Sequence, residues 1–317
     1  MRVEAREGRP RAVLFGLGNY AKTQIVPHVR RHLHLSAIHE IDPDQIASAA
    51  GIGAILDTSP RPSPDESYAA WFIAGFHHTH AALAVRALAD GAYAVVEKPL
   101  ATTREQLRFV ESALHEAPGK LFTCFHRRYS AFNERARLDL ATGPDDPVDM
   151  HCLVYEVPLP ALHWYNWPSS GSRLLSNGCH WLDYFLYMNG FHAVKDMGVR
   201  RMRGQDILGW VSLVNGAQMV MSLTDTGSQR LGVRDFIELR AHDVTVRIVD
   251  ACSYEAETGR RILHRRRENP MDPYRHMYDA ICQRIAAGQS GDSLESLRST
   301  KLTLDLEEEL SRSRPLS

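Results

Sequence analysis

A lysine at the end of a predicted strand is the first residue that could do chemistry. The stretch 92-AYAVVEKPLATT-103 begins as an apolar strand and then presents Lys98 directly before Pro99. Hydride transfer to or from an alcohol carbon needs a protein group that exchanges the hydroxyl proton. Desolvation lowers the pKa of a partly buried lysine, so Lys98 could exchange that proton near neutral pH. A surface lysine paired with Glu97 is an equally good interpretation of this position.

A histidine and an aspartate further along the chain form a second candidate pair. His180 and Asp183 are three residues apart, so both can lie on one face of the predicted helix 178–190. His180 could exchange a proton or hold a hydroxyl group. Asp183 could bind a hydroxyl group or orient a neighbouring base. A helix-capping interaction and a buried core histidine are the structural alternatives.

A glycine loop near the start of the chain indicates a dinucleotide cofactor. In 16-GLGNYA-21, Gly16 permits a tight turn and Gly18 lets the backbone approach a pyrophosphate, while Ala21 replaces the usual third glycine. Glu40 follows Gly18 by 22 residues, where a carboxylate accepts hydrogen bonds from the ribose hydroxyls and repels a 2′-phosphate. The pattern predicts NAD as the cofactor and leaves NADP possible.

The elements that must position Lys98 and the glycine loop alternate between strands and helices up to residue 126. Such alternation predicts parallel strands with right-handed crossovers, and therefore a doubly wound α/β sheet. The glycine loop follows the first strand, which is where this architecture binds dinucleotides. The predicted strands are 11–15, 33–42, 68–75, 92–98 and 120–126.

From about Val148 the pattern changes to strands with few helices between them. Partial alternation and the hairpin signal Asn215-Gly216 predict an α+β domain with a mostly antiparallel sheet. We therefore predict a nucleotide-binding domain at 1–124 and a substrate-binding and oligomerisation domain at 125–317. The predicted strands are 148–157, 207–214, 217–226, 234–241 and 243–250, and the predicted helices are 178–190, 273–288 and 293–310.

The composition excludes several classes of partner. The 317 residues carry a net charge of −1, so no attraction to nucleic acid or to an anionic membrane is expected. No stretch approaches the ~20 consecutive apolar residues of a membrane span. The five cysteines are scattered without a Cys-x-x-Cys pair, which is typical of reduced thiols and predicts a cytoplasmic protein. The expected partner is a small-molecule substrate.

The chain resembles the Gfo/Idh/MocA oxidoreductases, which include glucose–fructose oxidoreductase and inositol dehydrogenase. A Glu-Lys-Pro motif in its place after the glycine loop, followed by Gly-x-His-x-x-Asp, is fairly specific to this family. The segments that carry the resemblance are 16-GLGNYA-21, Glu40 with 42-DP-43, 77-HHTHA-81, 96-VEKPLA-101, 125-FHRRYS-130 and 171-GSRLLSNGCHWLD-183.

The resemblance implies a Rossmann domain followed by a large open sheet that could form a homo-oligomer. It implies NAD or NADP as cofactor and hydride transfer to or from sugars, polyols or nucleotide sugars. It also implies that Lys98 is the acid/base and that the peptide bond between Lys98 and Pro99 is cis. For the run 77-HHTH-80, cofactor contact is expected and a metal is not.

The predicted catalytic residues are Lys98, His180 and Asp183, and two sets of binding residues accompany them. The predicted cofactor contacts are Gly16, Gly18, Asn19, Tyr20, Ala21, Glu40, Gly75, His77, His80, Glu97 and Lys98. The predicted substrate contacts are Lys98, Arg127, Trp164, Asn177, His180 and Asp183.

One position departs from the family pattern. Inositol-dehydrogenase-like members carry an aspartate four residues before the histidine, and this chain has Ser176 there. The carboxylate that would raise the basicity of His180 is absent. Either Lys98 works alone, or His180 only positions the substrate, or the substrate needs a different acid. Two alternatives stay open, namely a reductase of imines or conjugated compounds, and a regulator that binds NAD(P) without turnover.

Overall fold

The contacts of the chain form two compact units. The computed structural model describes residues 8–63, 66–202, 204, 206–227 and 232–312. One unit contains the described residues up to His126 together with Tyr274–Leu294, and the other contains Arg127 to Pro273 and the residues from Glu295 onward. The predicted domain division at 124 and 125 stays a prediction. The contact units differ from it because they assign Tyr274–Leu294 to the first unit.

The first unit is built on a six-stranded parallel sheet with the order β3-β2-β1-β4-β5-β6. This is the doubly wound order of dinucleotide-binding domains, so the predicted parallel sheet is confirmed. The short strand β3 was not predicted. The strands are β1 Arg11–Phe15, β2 His34–His39, β3 Ile55–Asp57, β4 Ala70–Ile73, β5 Tyr93–Val96 and β6 Leu121–Thr123.

Helices cover this sheet, and their ends follow from local chemistry. Asp42 caps α2 by accepting a hydrogen bond from the Asp44 N–H at 2.9 Å, and Thr103 caps α4 by accepting from the Gln106 N–H at 3.2 Å. A π-helical turn, Ala21–Ile25, leads into α1. In the two units together, the described α-helices are α1 Val26–His32, α2 Pro43–Ala47, α3 His80–Ala89, α4 Arg104–Glu116, α5 Phe132–Leu140, α6 Cys179–Met188, α7 Asp272–Ala286 and α8 Arg298–Arg312, of which α5, α6 and α8 belong to the second unit.

Long-range contacts explain why the segment Tyr274–Leu294 lies in the first unit. Asp279 of α7 accepts hydrogen bonds from His28 Nδ1 at 2.8 Å and from His32 Nε2 at 3.0 Å, both on α1. Beyond the helix, the Asp292 N–H donates to the carbonyl of Leu121 at 2.6 Å. The segment therefore packs against α1 at one end and follows β6 at the other.

The second unit is built on an eight-stranded sheet with the order β14-β13-β12-β11-β7-β10-β9-β8. Every neighbouring pair is antiparallel except β7 and β10, so the predicted, mostly antiparallel sheet is confirmed. The strands β8, β13 and β14 and the helix α5 were not predicted. The strands are β7 Asp149–Tyr155, β8 Val194–Arg201, β9 Ile207–Leu213, β10 Gln218–Thr224, β11 Arg234–Ala241, β12 Val244–Val249, β13 Ser253–Thr258 and β14 Ile262–Arg267.

One face of this second sheet carries the core of its unit. In β7 the side chains of Met150, Cys152 and Val154 are buried, whereas His151 and Leu153 between them are exposed. The buried side chains join a core with Trp181 and other residues of α6 and α8. Among the described residues, no helix combines the length and the apolar content that a bilayer span requires.

Candidate active site

The glycine loop after β1 has the shape that a dinucleotide needs. Gly16 has φ = +90°, and a Cβ atom there would lie 2.6 Å from the backbone nitrogen of Gly75, so a side chain is excluded. At Gly18, by contrast, a Cβ atom would meet no atom within 4 Å. The loop is therefore packed tightly at Gly16 and open at Gly18, which is where the sequence predicts the approach of a pyrophosphate. These residues fit the NAD(P) that the sequence predicts.

The residues after Gly18 lead into the first helix. Asn19 is exposed, and its carbonyl accepts a hydrogen bond from the Thr23 hydroxyl at 2.9 Å. Ala21 is 1% exposed, so the position of the missing third glycine is closely packed. A small side chain satisfies that packing, as the sequence predicts.

Glu40, just after β2, braces the glycine loop. Its Oε2 accepts a hydrogen bond from the Leu17 N–H at 2.6 Å, and its Oε1 accepts one from the Asp42 N–H at 3.0 Å. A carboxylate offers about four acceptor positions, so two backbone donors leave capacity for ribose hydroxyls. Contact between Glu40 and the ribose stays a prediction.

Glu97 lies buried between two tyrosine hydroxyl groups. It is 8% exposed, and its Oε1 accepts hydrogen bonds from Tyr278 and, at 3.1 Å, from Tyr20. Burial raises the pKa of Glu97, while the hydrogen bond from Tyr278 and the charge of Lys98 act in the opposite direction. The sequence did not predict Tyr278, because it lies 181 residues from Glu97.

Lys98 leaves the sheet at the carboxyl end of β5. The Glu97 N–H still donates to the carbonyl of Ile73 on β4 at 2.8 Å, whereas Lys98 comes after the last strand residue. It is partly buried, and its peptide bond to Pro99 is cis, as the family resemblance implies. Because parallel strands end at the same edge of a sheet, Lys98 and the glycine loop lie at one edge.

His80 connects the backbone after β4 to the backbone after β5. Its Nδ1 lies 2.8 Å from the carbonyl oxygen of Pro99, and its Nε2 lies 3.0 Å from the carbonyl oxygen of Gly75. The ring is 1% exposed, and burial, with a smaller effect from the charge of Lys98, lowers the pKa of His80. Its contacts with both turns favour a role in positioning them. The predicted cofactor contact of His80 remains untested.

His77 and Gly75 complete the loop after β4. His77 begins the short 3₁₀ turn His77–Thr79, is 2% exposed, and has its ring centroid 5.9 Å from that of His80. Gly75 is partly buried. Their contacts with a cofactor stay predictions.

The second unit holds the pair His180 and Asp183 on α6. Asp183 is fully buried, and its carboxylate binds the guanidinium of Arg128 in a bidentate manner, with Nε to Oδ2 at 3.0 Å and a terminal nitrogen to Oδ1 at 2.6 Å. His180 is 6% exposed. Of the two roles expected for Asp183, orienting a neighbour therefore agrees better with its burial than direct contact with a substrate.

Arg127 is fixed by a buried carboxylate and an indole ring. Its guanidinium forms an ion pair with Asp235, and it lies 4.7 Å from the ring centroid of Trp181. The indole N–H of Trp181 also donates to Asp235 at 2.9 Å. The predicted substrate contact of Arg127 is untested, and its guanidinium already has these partners.

Asn177 belongs to a group of polar side chains of which it is the only member predicted from the sequence. Asn177 donates a hydrogen bond to Oε1 of Glu156, and Arg173 donates to Oε2 of Glu156 at 2.5 Å. A terminal nitrogen of Arg173 also lies 3.1 Å from Asp225. Glu156 and Arg173 were missed because each stands alone in the sequence, one after a strand and one before a turn.

Ser176 and Trp164 lie in turns of the second unit. Ser176 is 3% exposed within the π-helical turn Leu174–Gly178, so the position that carries a family aspartate is buried here. Trp164 is partly buried in the 3₁₀ turn Trp164–Asn166, with its ring centroid 4.3 Å from that of Tyr165. Its contact with a substrate stays a prediction.

One cluster outside the predicted site has the composition of a cation site. His39, Asp57 and Glu66 each offer a ligand atom within 4.8 Å of the others. His39 Nε2 lies 3.2 Å from Glu66, and its Nδ1 lies 3.0 Å from the carbonyl oxygen of Ser59. Hydrogen bonding and ion pairing account for this geometry without a metal.

The N-terminal part of the first unit matches a known family. Residues 11–125 match the family profile GFO_IDH_MocA, described as an oxidoreductase family with an NAD-binding Rossmann fold. No curated protein matches the chain significantly.

Solved structures share the fold over almost the whole chain. The 3-ketoreductase KijD10 of Actinomadura kijaniata, crystallised with NADP and TDP-benzene, has 16% identity and a TM-score of 0.79, with 97% of this chain and 99% of that chain covered. An oxidoreductase of Agrobacterium radiobacter, crystallised with NAD+, L-tartaric acid and magnesium, has 17% identity and a TM-score of 0.75, with coverages of 96% and 97%. An oxidoreductase domain protein of Kribbella flavida has 17% identity and a TM-score of 0.77, with the same coverages.

At these identities the structural likeness establishes the fold, and the profile match concerns residues 11–125. Those residues are an NAD-binding Rossmann domain of the GFO_IDH_MocA oxidoreductase type, which agrees with the predicted family and with NAD(P) as the cofactor.

Proposed function

We propose that the protein transfers a hydride to or from a hydroxyl or keto carbon of a sugar, polyol or nucleotide sugar, with Lys98 as the acid/base. The observation that carries this proposal is the position of Lys98, partly buried at the carboxyl end of β5 and at the same sheet edge as the open glycine loop. KijD10, which has the same fold, is described as a 3-ketoreductase and was crystallised with a TDP compound. That description supports the nucleotide-sugar class.

The proton step belongs to Lys98 in either direction. In oxidation, the neutral amine of Lys98 accepts the proton of the substrate hydroxyl group. In reduction, the ammonium form returns a proton to the forming hydroxyl oxygen. When bound, the nicotinamide takes up or supplies the hydride.

The residues of the first unit favour NAD over NADP. Glu40 is held at the end of β2 by the backbone of Leu17 and Asp42, and a fixed carboxylate there repels a 2′-phosphate. The glycine loop supplies backbone N–H groups for the pyrophosphate. In the second unit, His180 would contact a substrate hydroxyl group, and Asp183 would orient Arg128, to which it is bound in a bidentate manner.

A substrate screen over sugars, polyols and nucleotide sugars with NAD and NADP tests this proposal. With an active substrate, Lys98→Met should lower turnover by roughly 10²-fold or more while NADH affinity, measured by fluorescence titration, stays near normal. Lys120→Met is the matched control, because Lys120 lies before β6 at the opposite edge of the same sheet. Full turnover in the Lys98 variant would remove Lys98 as the acid/base.

A reductase of imines or conjugated compounds is the second candidate. The buried Ser176 favours it, because no carboxylate stands at the position that would raise the basicity of His180. The same screen should include cyclic imines and enones. Turnover of these compounds together with inactivity toward every sugar would select the second candidate.

We also propose that a second copy of this chain covers the exposed face of the eight-stranded sheet. Four apolar side chains there remain 37–52% exposed on neighbouring strands. Phe236 lies opposite Leu153, and Val220 lies opposite Trp210. Light scattering should show a homo-oligomer that Trp210→Glu dissociates, and a monomeric wild-type protein would contradict this. Cytoplasmic localisation stays a prediction.

A further inference from the structure

The buried carboxylate of Glu97 depends on hydrogen bonds from neutral groups. Burying an ionised carboxylate without hydrogen-bond donors costs several kcal/mol. The donors that the protein supplies therefore decide whether the carboxylate can stay charged. Two such donors, the hydroxyl groups of Tyr278 and Tyr20, bind one oxygen atom of Glu97, and a backbone hydrogen bond from Lys98 adds to them. The two hydroxyl oxygens lie 3.3 Å apart. We call Glu97, Tyr20 and Tyr278 the tyrosine–carboxylate cluster.

Tyr278 is fixed by contacts between α7 and α1. It is fully buried, and its ring stacks on His28 with the centroids 6.3 Å apart. The next residue, Asp279, accepts hydrogen bonds from His28 and His32 of α1. The hydroxyl group of Tyr278 therefore reaches Glu97 from a helix that is anchored at two points.

Tyr20 brings the glycine loop into the same cluster. It lies within 16-GLGNYA-21, between the exposed Asn19 and the closely packed Ala21. Because Tyr20 donates to Glu97, the segment that approaches the pyrophosphate is hydrogen-bonded to the residue before Lys98. The cluster thus links cofactor loop, lysine turn and α7.

The electrostatic effect of the cluster on Lys98 has a defined sign. Burial raises the pKa of Glu97, and the hydrogen bond from Tyr278, the charge of Lys98 and the hydrogen bond from Tyr20 oppose that rise. Interaction between two sites is reciprocal, so an ionised Glu97 stabilises the charged form of Lys98. Burial raises the pKa of Cys124 well above its usual value, so that nearby thiol stays neutral. Among the described residues, the titratable groups that face Glu97 or Lys98 are Tyr20 from the glycine loop, Tyr278 from α7, Cys124 after β6, and His80 from α3.

We propose that Tyr278, through the carboxylate of Glu97, is a positioning residue for the proton chemistry of Lys98. Its hydroxyl group favours the charged form of Glu97, and its helix fixes where that carboxylate lies. The inference rests on the proposed acid/base role of Lys98 and deepens it. It assigns a function to a helix that lies far from Lys98 in the sequence.

The test measures the titration of Lys98 directly and needs no substrate. The chain has five lysines, so reductive ¹³C-methylation gives a simple lysine NMR spectrum in which Lys98→Arg identifies the Lys98 signal. In Glu97→Gln the negative charge is gone, and we expect the Lys98 midpoint to move to lower pH by about half a pH unit or more. Tyr278→Phe should move it in the same direction by less, because Glu97 loses one donor and is more readily protonated.

Tyr93→Phe is the matched control for the tyrosine variant. Tyr93 begins the same strand, β5, and its hydroxyl group donates to the carbonyl of Gln289 at 3.1 Å, at the end of the strand away from Lys98. Its Lys98 midpoint should equal that of the wild type. An unchanged midpoint in folded Glu97→Gln, or equal shifts in Tyr278→Phe and Tyr93→Phe, would overturn the inference. If Tyr278→Phe does not fold, Tyr20→Phe probes the second donor.

The outcome is separable from that of the proposed function. A substrate screen without any turnover leaves the NMR titration readable, and an unchanged titration leaves the oxidoreductase activity untouched. Once a substrate is known, Tyr278→Phe should lower kcat and shift its pH profile, while NADH affinity remains within about twofold of the wild type.

Discussion

The two sheets of this protein bury their side chains in different ways. In the first unit, all four residues of β5 are buried, because helices cover both faces of a parallel sheet. In the second unit, β7 alternates between buried and exposed side chains, because only one face carries a core. The parallel sheet therefore offers chemistry at its carboxyl edge, whereas the antiparallel sheet offers a broad face.

The two units also stabilise buried carboxylates differently. Glu97 in the first unit is held by neutral tyrosine hydroxyl groups, and its pKa rises on burial. Asp183 in the second unit is fully buried against the charged Arg128. The ionisation of a carboxylate between neutral donors can still change with its surroundings. A carboxylate in a buried ion pair serves mainly to hold the structure together.

The largest expected effect concerns this ion pair. Asp183→Asn should lower the free energy of unfolding by about 3–5 kcal/mol, because Arg128 is left as a buried charge without its bidentate partner. Urea denaturation of the purified variant measures the change. Asp90→Asn breaks the exposed pair with Arg86 and should cost less than about 0.5 kcal/mol. Equal costs for the two variants would show that burial does not distinguish the pairs.

The next effect separates two glycines of one loop. Gly16→Ala should destabilise the protein by about 3 kcal/mol, because the new Cβ atom meets the backbone at Gly75 and φ is positive. Gly18→Ala should leave thermal stability near that of the wild type and weaken NADH binding by about tenfold or more, since its side chain points into space that a pyrophosphate would use. Thermal denaturation and NADH fluorescence titration check both variants. A stable Gly16 variant would contradict the close packing.

The smallest effect compares the two faces of a strand in each sheet. Val95→Ala and Val96→Ala in β5 should each cost about 2 kcal/mol, because both neighbouring residues are buried. In β7, Val154→Ala should cost a similar amount, whereas Leu153→Ala, measured at a concentration where the chain is monomeric, should cost less than about 0.5 kcal/mol. Urea denaturation gives all four values. A large loss of stability in monomeric Leu153→Ala would mean that the face of the sheet that carries Leu153 is not exposed.

The sequence predicted the positions of candidate residues that directly follow a strand. The glycine loop, Glu40 and Lys98 each stand directly after a strand of strong apolar character, so their place at one sheet edge follows from strand–helix alternation. The cis peptide bond at Pro99 followed from the family resemblance. These features need only short segments of sequence to be recognised.

The elements that were missed have a physical feature in common. Three of the four missed strands, β3, β8 and β14, lie at sheet edges. Edge strands face solvent and carry charged side chains that prevent further pairing, which weakens their hydrophobic pattern. The segment Ile262–Arg267 illustrates this, because the four side chains after Leu263 are basic and all exposed. Contacts between distant segments, such as Tyr278 with Glu97, have no local signal at all.

The split of the first unit along the chain has a consequence for its biosynthesis. The ribosome makes the chain from the N-terminus, so Tyr278 and Asp279 are added only after residues 127–273 have been translated. Until then, Glu97 has one of its two tyrosine donors, and His28 and His32 of α1 lack the carboxylate that they share. Synthesis of the nucleotide-binding unit therefore starts first. The contacts of Tyr278 with the turn at Lys98, however, can form only after residues 127–273 of the second unit have been synthesised.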